Sequence, residues 1–166
     1  MFEEECLETH LLRVFVHDSA TEVFLGCGSK DAPQYLHFQT AVGFWEQVDA
    51  AASGRRFNRP QTFELLADFI TAYEVKIVSI YIHAYVNKTY IAQICLAKPA
   101  SGSETFPRVV TLDARPSDAL LLAATFRKKV FVKKTLFTDS DANGVLLKQF
   151  EARQKKPAQN LPLGKE

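Results

Sequence analysis

The chain has 166 residues, of which 47% are hydrophobic and 23% are charged, with 13 phenylalanines. This length and composition fit one domain with an apolar core; they exclude an intrinsically disordered chain, and no apolar run is long enough for a transmembrane helix. The net charge of +1 divides unevenly: residues 1–75 hold 5 basic and 12 acidic side chains (net −7), and residues 76–166 hold 15 and 7 (net +8). The division indicates either a basic binding face on the second half or two halves that attract each other.

The first half of the chain predicts three strands followed by two helices. Short runs rich in β-branched and aromatic residues predict strands over 12–17, 22–26 and 35–39. Apolar residues at helical spacing predict helices over 41–53 and 62–73. Ser53-Gly54 ends the first helix, because glycine tolerates the left-handed conformation found at helix ends.

The second half repeats this order. Its patterns predict strands over 78–86, 88–97 and 108–113, a polar loop over 98–107, a helix over 117–126 and a short strand within 130–137. VFVH (14–17) aligns with IYIH (80–83) at a constant offset, and VFL (23–25) aligns with TYI (89–91) at the same offset. We therefore predict two β-β-β-α-α units, over about 12–75 and 76–137, in a single compact α+β domain with mostly antiparallel or mixed sheets.

The two ends of the chain are predicted to lie outside this domain. Residues 1–11 form an N-terminal extension, and their acidic character is unlike a signal peptide, so a cytoplasmic location without membrane association is expected. Residues 138–166 form a C-terminal segment that we expect to be disordered from about 151. The three cysteines are far apart in the chain, which favours reduced thiols over a disulfide framework.

A turn with unusual charge joins the strand at 108–113 to the next helix. Arg115 precedes a proline and is therefore extended, and Pro116 suits the first position of a helix. Ser117 and Asp118 then lie in the first helical turn, where unpaired N–H groups favour an anion such as phosphate. Asp113, Arg115 and Asp118 are open to three interpretations: a catalytic cluster, a buried structural ion-pair network, or simple helix capping.

Basic and aromatic side chains nearby suggest contacts with nucleic acid. The residues that could follow a phosphate backbone are Arg59, Arg127, Lys128, Lys129, Lys133 and Lys134. The alternative for these residues is a solvated face near a helix C-terminus. Tyr81, Tyr85 and Tyr90 are open to base stacking or to packing across a hairpin.

The stretch VVTLDARPSDALLLAA, followed by VFVKKTLF, resembles the bifunctional nuclease domain family. The resemblance covers about residues 12–137 and is most specific at Asp113 and the RPSDA run (115–119). It implies a compact α+β domain, association into homo-oligomers and activity on DNA and RNA. The chain departs from the family pattern at two positions, because Phe63 replaces the usual histidine and Gly43 the usual glutamate. Glu46, one turn later, is a candidate replacement.

From the turn and the resemblance together we expect a nuclease-like protein that hydrolyses phosphodiester bonds of RNA, DNA or both. Asp113 and Asp118 would hold a divalent ion such as Mg²⁺ or activate a water, Arg115 would stabilise phosphate charge, and Ser117 would donate a hydrogen bond. The sequence contains no metal-binding or cofactor motif of its own. The alternative is a catalytically weakened or inactive oligomeric domain with a binding or regulatory role, which Phe63 and Gly43 favour.

Overall fold

A computed structural model of the chain describes residues 5–98 and 108–153. Within them the β-strands are β1 (Cys6–Val16), β2 (Thr21–Ser29), β3 (Ala32–Thr40), β4 (Lys76–Val86), β5 (Thr89–Lys98), β6 (Arg108–Ala114) and β7 (Val130–Lys133). The α-helices are α1 (Phe44–Ser53), α2 (Thr62–Ala72), α3 (Pro116–Phe126) and α4 (Ser140–Arg153). A 3₁₀ turn over Lys134–Leu136 follows β7. No helix in the described ranges is long and apolar enough to cross a membrane.

All seven strands form one mixed sheet in the order β3-β2-β1-β7-β4-β5-β6. Neighbouring strands are antiparallel except β7 and β4, which run parallel. The short strand β7 therefore joins two three-stranded meanders, β1–β3 and β4–β6. The predicted α+β class and the single domain are confirmed, whereas the equivalence of the two halves as repeats stays a prediction.

The sheet is covered on both faces at β2, which explains why seven successive residues of this strand are buried. Val23 and Leu25 point to the main core, which also contains side chains of α1, α2 and α3. Phe24 points the other way, because side chains alternate along a strand, and it packs with Phe15 and with Leu147 of α4. α4 therefore closes the second face of the sheet over the β1–β3 meander.

The sheet curls strongly, so that strands distant in its order come close together. The rings of Phe38 in β3 and Tyr90 in β5 have centroids 6.2 Å apart, although these strands are first and sixth in the sheet. In a flat sheet, five inter-strand spacings would separate them by about 24 Å. The curl brings the end of β3 and the start of α1 against the β4–β5 hairpin, and this creates the cavity described below.

The structure corrects the predicted chain ends. β1 begins at Cys6, so the boundary placed at residue 12 falls inside a strand, and Cys6–Thr9 pairs with β7. The Thr9 hydroxyl donates a hydrogen bond to the Val130 carbonyl at 3.0 Å, a contact that short-range patterns cannot reveal. The C-terminal segment contains α4, whose helix continues to Arg153, past the predicted start of disorder. Most of the predicted 98–107 loop and the tail after residue 153 lie outside the described residues.

Candidate functional site

A cavity of about 720 Å³ opens between the two ends of the curled sheet. Its walls come from the end of β3 with the start of α1, from the β4–β5 hairpin and from the start of α3. Pockets that bind small molecules typically have volumes of about 300–1,000 Å³. The cavity is therefore large enough to hold a nucleotide-sized ligand.

The turn that begins α3 forms one wall of this cavity. Arg115 is extended, with φ −73° and ψ 149°, and Pro116 begins the helix. The N–H groups of Ser117 and Asp118 have no acceptor within the helix, because the first turn lacks preceding carbonyls. No side chain caps this helix end. Arg115, Ser117 and Asp118 all line the cavity, so these donors and the positive end of the helix dipole lie at its wall.

Arg115 and Asp118 form a two-point ion pair. The guanidinium Nε lies 2.7 Å from Oδ2 of Asp118, and Nη2 lies 3.0 Å from Oδ1. Hydrogen bonding to Asp118, and then the negative charge of that carboxylate, raise the pKa of Arg115 above its usual value. The side chains are 77% and 43% exposed, which contradicts an ion-pair network buried within the single chain. An exposed pair of this kind contributes only about 0–1 kcal/mol to folding.

Asp113 lies apart from this pair. It is exposed near the end of β6, opposite Gln93 of β5, and it does not line the cavity. It also forms no ion pair within residues 5–98 and 108–153. Of the four predicted catalytic residues, the structure therefore brings three together and leaves Asp113 outside.

The donor set of the cavity does not fit a divalent metal ion. Asp118 is the only carboxylate among the described residues that line it, and its single negative charge is outnumbered by the positive charges of Arg115 and Lys88, which disfavours a dication. Mg²⁺ is usually held by one or two carboxylates with further oxygen ligands and waters. No cluster of three or more potential ligand side chains (His, Cys, Asp, Glu) occurs in the part of the chain that the structure describes. The residues of this cavity therefore do not fit a resident Mg²⁺ ion.

The hairpin contributes aromatic and basic groups to another part of the cavity wall. Tyr85 and Tyr90 are direct cross-strand partners with ring centroids 4.5 Å apart, which confirms hairpin packing, and both rings belong to cavity-lining residues. Burial raises the pKa of the Tyr90 hydroxyl, with smaller contributions from Tyr85 and Asp139, so this tyrosine stays neutral at ordinary pH. Lys88 lines the cavity from the turn between them. The sequence offered Asn87-Lys88 only as a turn, so the place of this lysine in the cavity wall was missed.

The basic residues predicted to bind nucleic acid lie away from the cavity. Arg127 ends α3, about 18 Å along the helix axis from Arg115, and is followed by Lys128 and Lys129. Lys129 Nζ lies 3.2 Å from a Glu8 oxygen, and Lys133 Nζ lies 3.7 Å from a Glu5 oxygen. The remaining members of the set, Arg59 and Lys134, are exposed and do not line the cavity either.

The two departures from the family pattern have structural explanations. Phe63 is buried in the core and faces a separate cavity of about 170 Å³. Gly43 precedes α1 with φ 89°, a left-handed conformation that other residues adopt at a cost. Glu46 is exposed and does not line the larger cavity, whereas its neighbour Gln47 does.

Comparison with known proteins adds one finding. The family model described as "Bifunctional nuclease domain" matches residues 42–143, which is more than half of the chain and includes the start of α1, the hairpin and all of α3. No curated protein sequence matches the chain.

Proposed function

The chain belongs to the bifunctional nuclease domain family, and from this premise we propose that it hydrolyses phosphodiester bonds of RNA, DNA or both in the 720 Å³ cavity. The observation that carries the proposal is the position of Arg115, Ser117 and Asp118 together at its wall. A guanidinium, unpaired helical N–H groups and a carboxylate are the groups that phosphate binding and proton transfer require.

The exposed Arg115–Asp118 pair leaves capacity for a substrate. An arginine has five N–H donors, of which Asp118 takes two, so three remain for phosphate oxygens. The N–H groups of Ser117 and Asp118 add donors at the helix start, and the Ser117 hydroxyl adds another. Together these groups would stabilise the negative charge that builds on the phosphate oxygens as water attacks.

Asp118 would remove the proton from the attacking water. Each carboxylate oxygen can accept more than one hydrogen bond, so Asp118 can contact a water while it remains paired with Arg115. The water oxygen then bonds to phosphorus, the ester P–O bond breaks, and the leaving oxygen takes a proton from solvent in the open cavity. Arg115 would thus hold both the substrate and the base in position.

A cleavage assay with a matched pair of variants tests this assignment. Purified protein is incubated with single-stranded RNA and DNA, with and without Mg²⁺, and compared with Asp118→Asn and Asp113→Asn. We expect Asp118→Asn to lower the rate by about 10²–10⁴-fold, because general-base catalysis contributes this much. Asp113→Asn removes the same charge outside the cavity and should stay close to wild type. Equal cleavage by wild type and Asp118→Asn would point to a contaminating nuclease and refute the proposal.

The second candidate is a non-catalytic oligomeric domain, and the edge strand β6 favours it. Val109, Val110 and Leu112 are 61%, 41% and 40% exposed on this last strand of the sheet. An exposed apolar edge invites pairing with another strand, as in a second copy of the chain. In the same assay this candidate gives no cleavage by the wild type. If the RPSD turn locks subunits together, Asp118→Asn also lowers the melting temperature strongly, whereas the exposed pair seen here predicts little change.

A further inference from the structure

The β4–β5 hairpin presents a half-exposed aromatic surface to the cavity. Asn87 and Lys88 both have positive φ (49° and 62°), the geometry of a tight two-residue hairpin turn that matches the twist of the strands. Beside this turn Tyr85 stays 52% exposed, while Tyr90 is held between Tyr85 and Phe38. A tyrosine ring supported from behind in this way offers one face to a ligand at low entropic cost.

Two cations face the same space. Arg115 retains N–H donors beyond its pair with Asp118, and Lys88 forms no ion pair with any residue in the described ranges. They belong to different parts of the cavity wall, one immediately before α3 and one in the hairpin turn. A ligand that joins a phosphate to a flat aromatic group would satisfy the cations and the tyrosine pair together.

We propose that the cavity selects single-stranded nucleic acid, by stacking an unpaired base on the Tyr85–Tyr90 pair while Arg115 and Lys88 hold the adjoining phosphate. The inference rests on the proposed function in taking this cavity as the nucleic-acid site, but it concerns binding and not hydrolysis. Stacking depends little on base identity because every base has a π-face, so the selection is for strand state and not for sequence.

Duplex nucleic acid meets two obstacles at this cavity. Its bases are covered on both faces by their neighbours, so the tyrosine surface has nothing to stack on. Extruding a nucleotide into a pocket requires breaking base pairing and stacking, which enzymes that flip bases must offset with other contacts. Duplex can still touch Arg115 and Lys88 through its phosphates, so we expect weak, salt-sensitive binding instead of none.

Equilibrium binding tests the inference without relying on cleavage. The probes are a fluorescein-labelled oligothymidine strand and a labelled duplex of equal length, measured by fluorescence anisotropy at fixed salt, with strand integrity checked on a gel afterwards. We expect the single strand to bind more tightly than the duplex. Tyr85→Ala should weaken single-strand binding by about 5–150-fold, the usual effect of removing one stacking ring, and Tyr85→Phe should preserve it. Lys88→Ala should reduce the slope of log affinity against log salt concentration by about 1, the contribution of one phosphate contact.

Tyr73 supplies a closely matched control. It is 56% exposed, and its ring lies 4.5 Å from that of Phe69, so it reproduces the exposure and pairing of Tyr85 at the end of α2, away from the cavity. Tyr73→Ala should leave binding unchanged. Equal or tighter binding of duplex, no measurable single-strand binding, or an unaltered affinity in Tyr85→Ala overturns the inference.

The outcomes separate this inference from the proposed hydrolysis. Tyrosine-dependent binding of single strands without any cleavage supports the inference and refutes the catalytic assignment. Cleavage that depends on Asp118, together with a single-strand affinity that is unchanged in Tyr85→Ala, supports the catalytic assignment and overturns the inference.

Discussion

Replacing Gly43 tests whether backbone conformation accounts for a glycine at the position where the family resemblance implies a glutamate. Gly43 precedes α1 with φ 89° and ψ −7°, and a Cβ added there would meet no atom within 4 Å. A clash therefore cannot explain the glycine, and the cost of a side chain is torsional. Left-handed conformation costs a non-glycine residue about 1–2 kcal/mol. In a domain of this size that lowers the melting temperature by about 2–8 °C, at about 2–4 °C per kcal/mol.

Three substitutions at this position separate strain from charge. Gly43→Ala introduces only the backbone strain and should show the full decrease in melting temperature. Gly43→Asn should show a smaller decrease in melting temperature, because asparagine adopts the left-handed region more readily than alanine does. Gly43→Glu adds a negative charge at the start of α1, where the helix dipole stabilises it by about 0.3–1 kcal/mol, so its loss should lie below that of alanine.

Thermal unfolding followed by circular dichroism gives the comparison, with urea unfolding as a second measure of the free energy. A Gly43→Ala protein as stable as wild type would show that residue 43 is not left-handed in solution. The conformational reason for the missing glutamate would then fail, and the start of α1 would need another description.

The remaining predictions concern Phe63, where the family resemblance implies a histidine, and the three cysteine thiols. Phe63→His should lower the free energy of unfolding in urea by about 2–4 kcal/mol, because it replaces buried apolar surface with a polar ring. The cleavage rate should stay unchanged, because Phe63 faces the smaller cavity and not the proposed site. An increase in cleavage would contradict this prediction. Burial raises the pKa of the Cys6 and Cys27 thiols, so both hold less of the reactive thiolate near neutral pH than an exposed thiol. Half-buried Cys95 should therefore react first with Ellman's reagent in the folded protein, and Cys95→Ser should remove that fast phase; equal rates for all three cysteines before unfolding would contradict the burial.

The sequence predicted the turn at Arg115 because its geometry is decided locally. A residue before proline is extended, and proline suits the first turn of a helix, whatever the rest of the chain does. Contacts between distant segments were beyond such reasoning. The pairing of Cys6–Thr9 with β7 joins residues more than a hundred positions apart. α4 was missed because Leu147 is its only buried side chain in the described residues, so its sequence lacks a clear apolar face.

Because sequence patterns do not show contacts between distant segments, they also could not show which basic residues line the cavity. Counting cations along the chain selected the cluster at 127–134, yet none of its basic residues lines the cavity, and α3 separates Arg127, Lys128 and Lys129 from it by its whole length. The helix dipole supports that arrangement, because its C-terminal end favours cations such as Arg127 and its N-terminal end favours an anion beside Arg115. Lys88, isolated in the sequence, reaches the cavity only because the sheet curls. A polyanion bound at Arg115 would reach Arg127, Lys128 and Lys129 only by running along α3, so these three residues can add affinity for long strands but cannot position a phosphate held at Arg115.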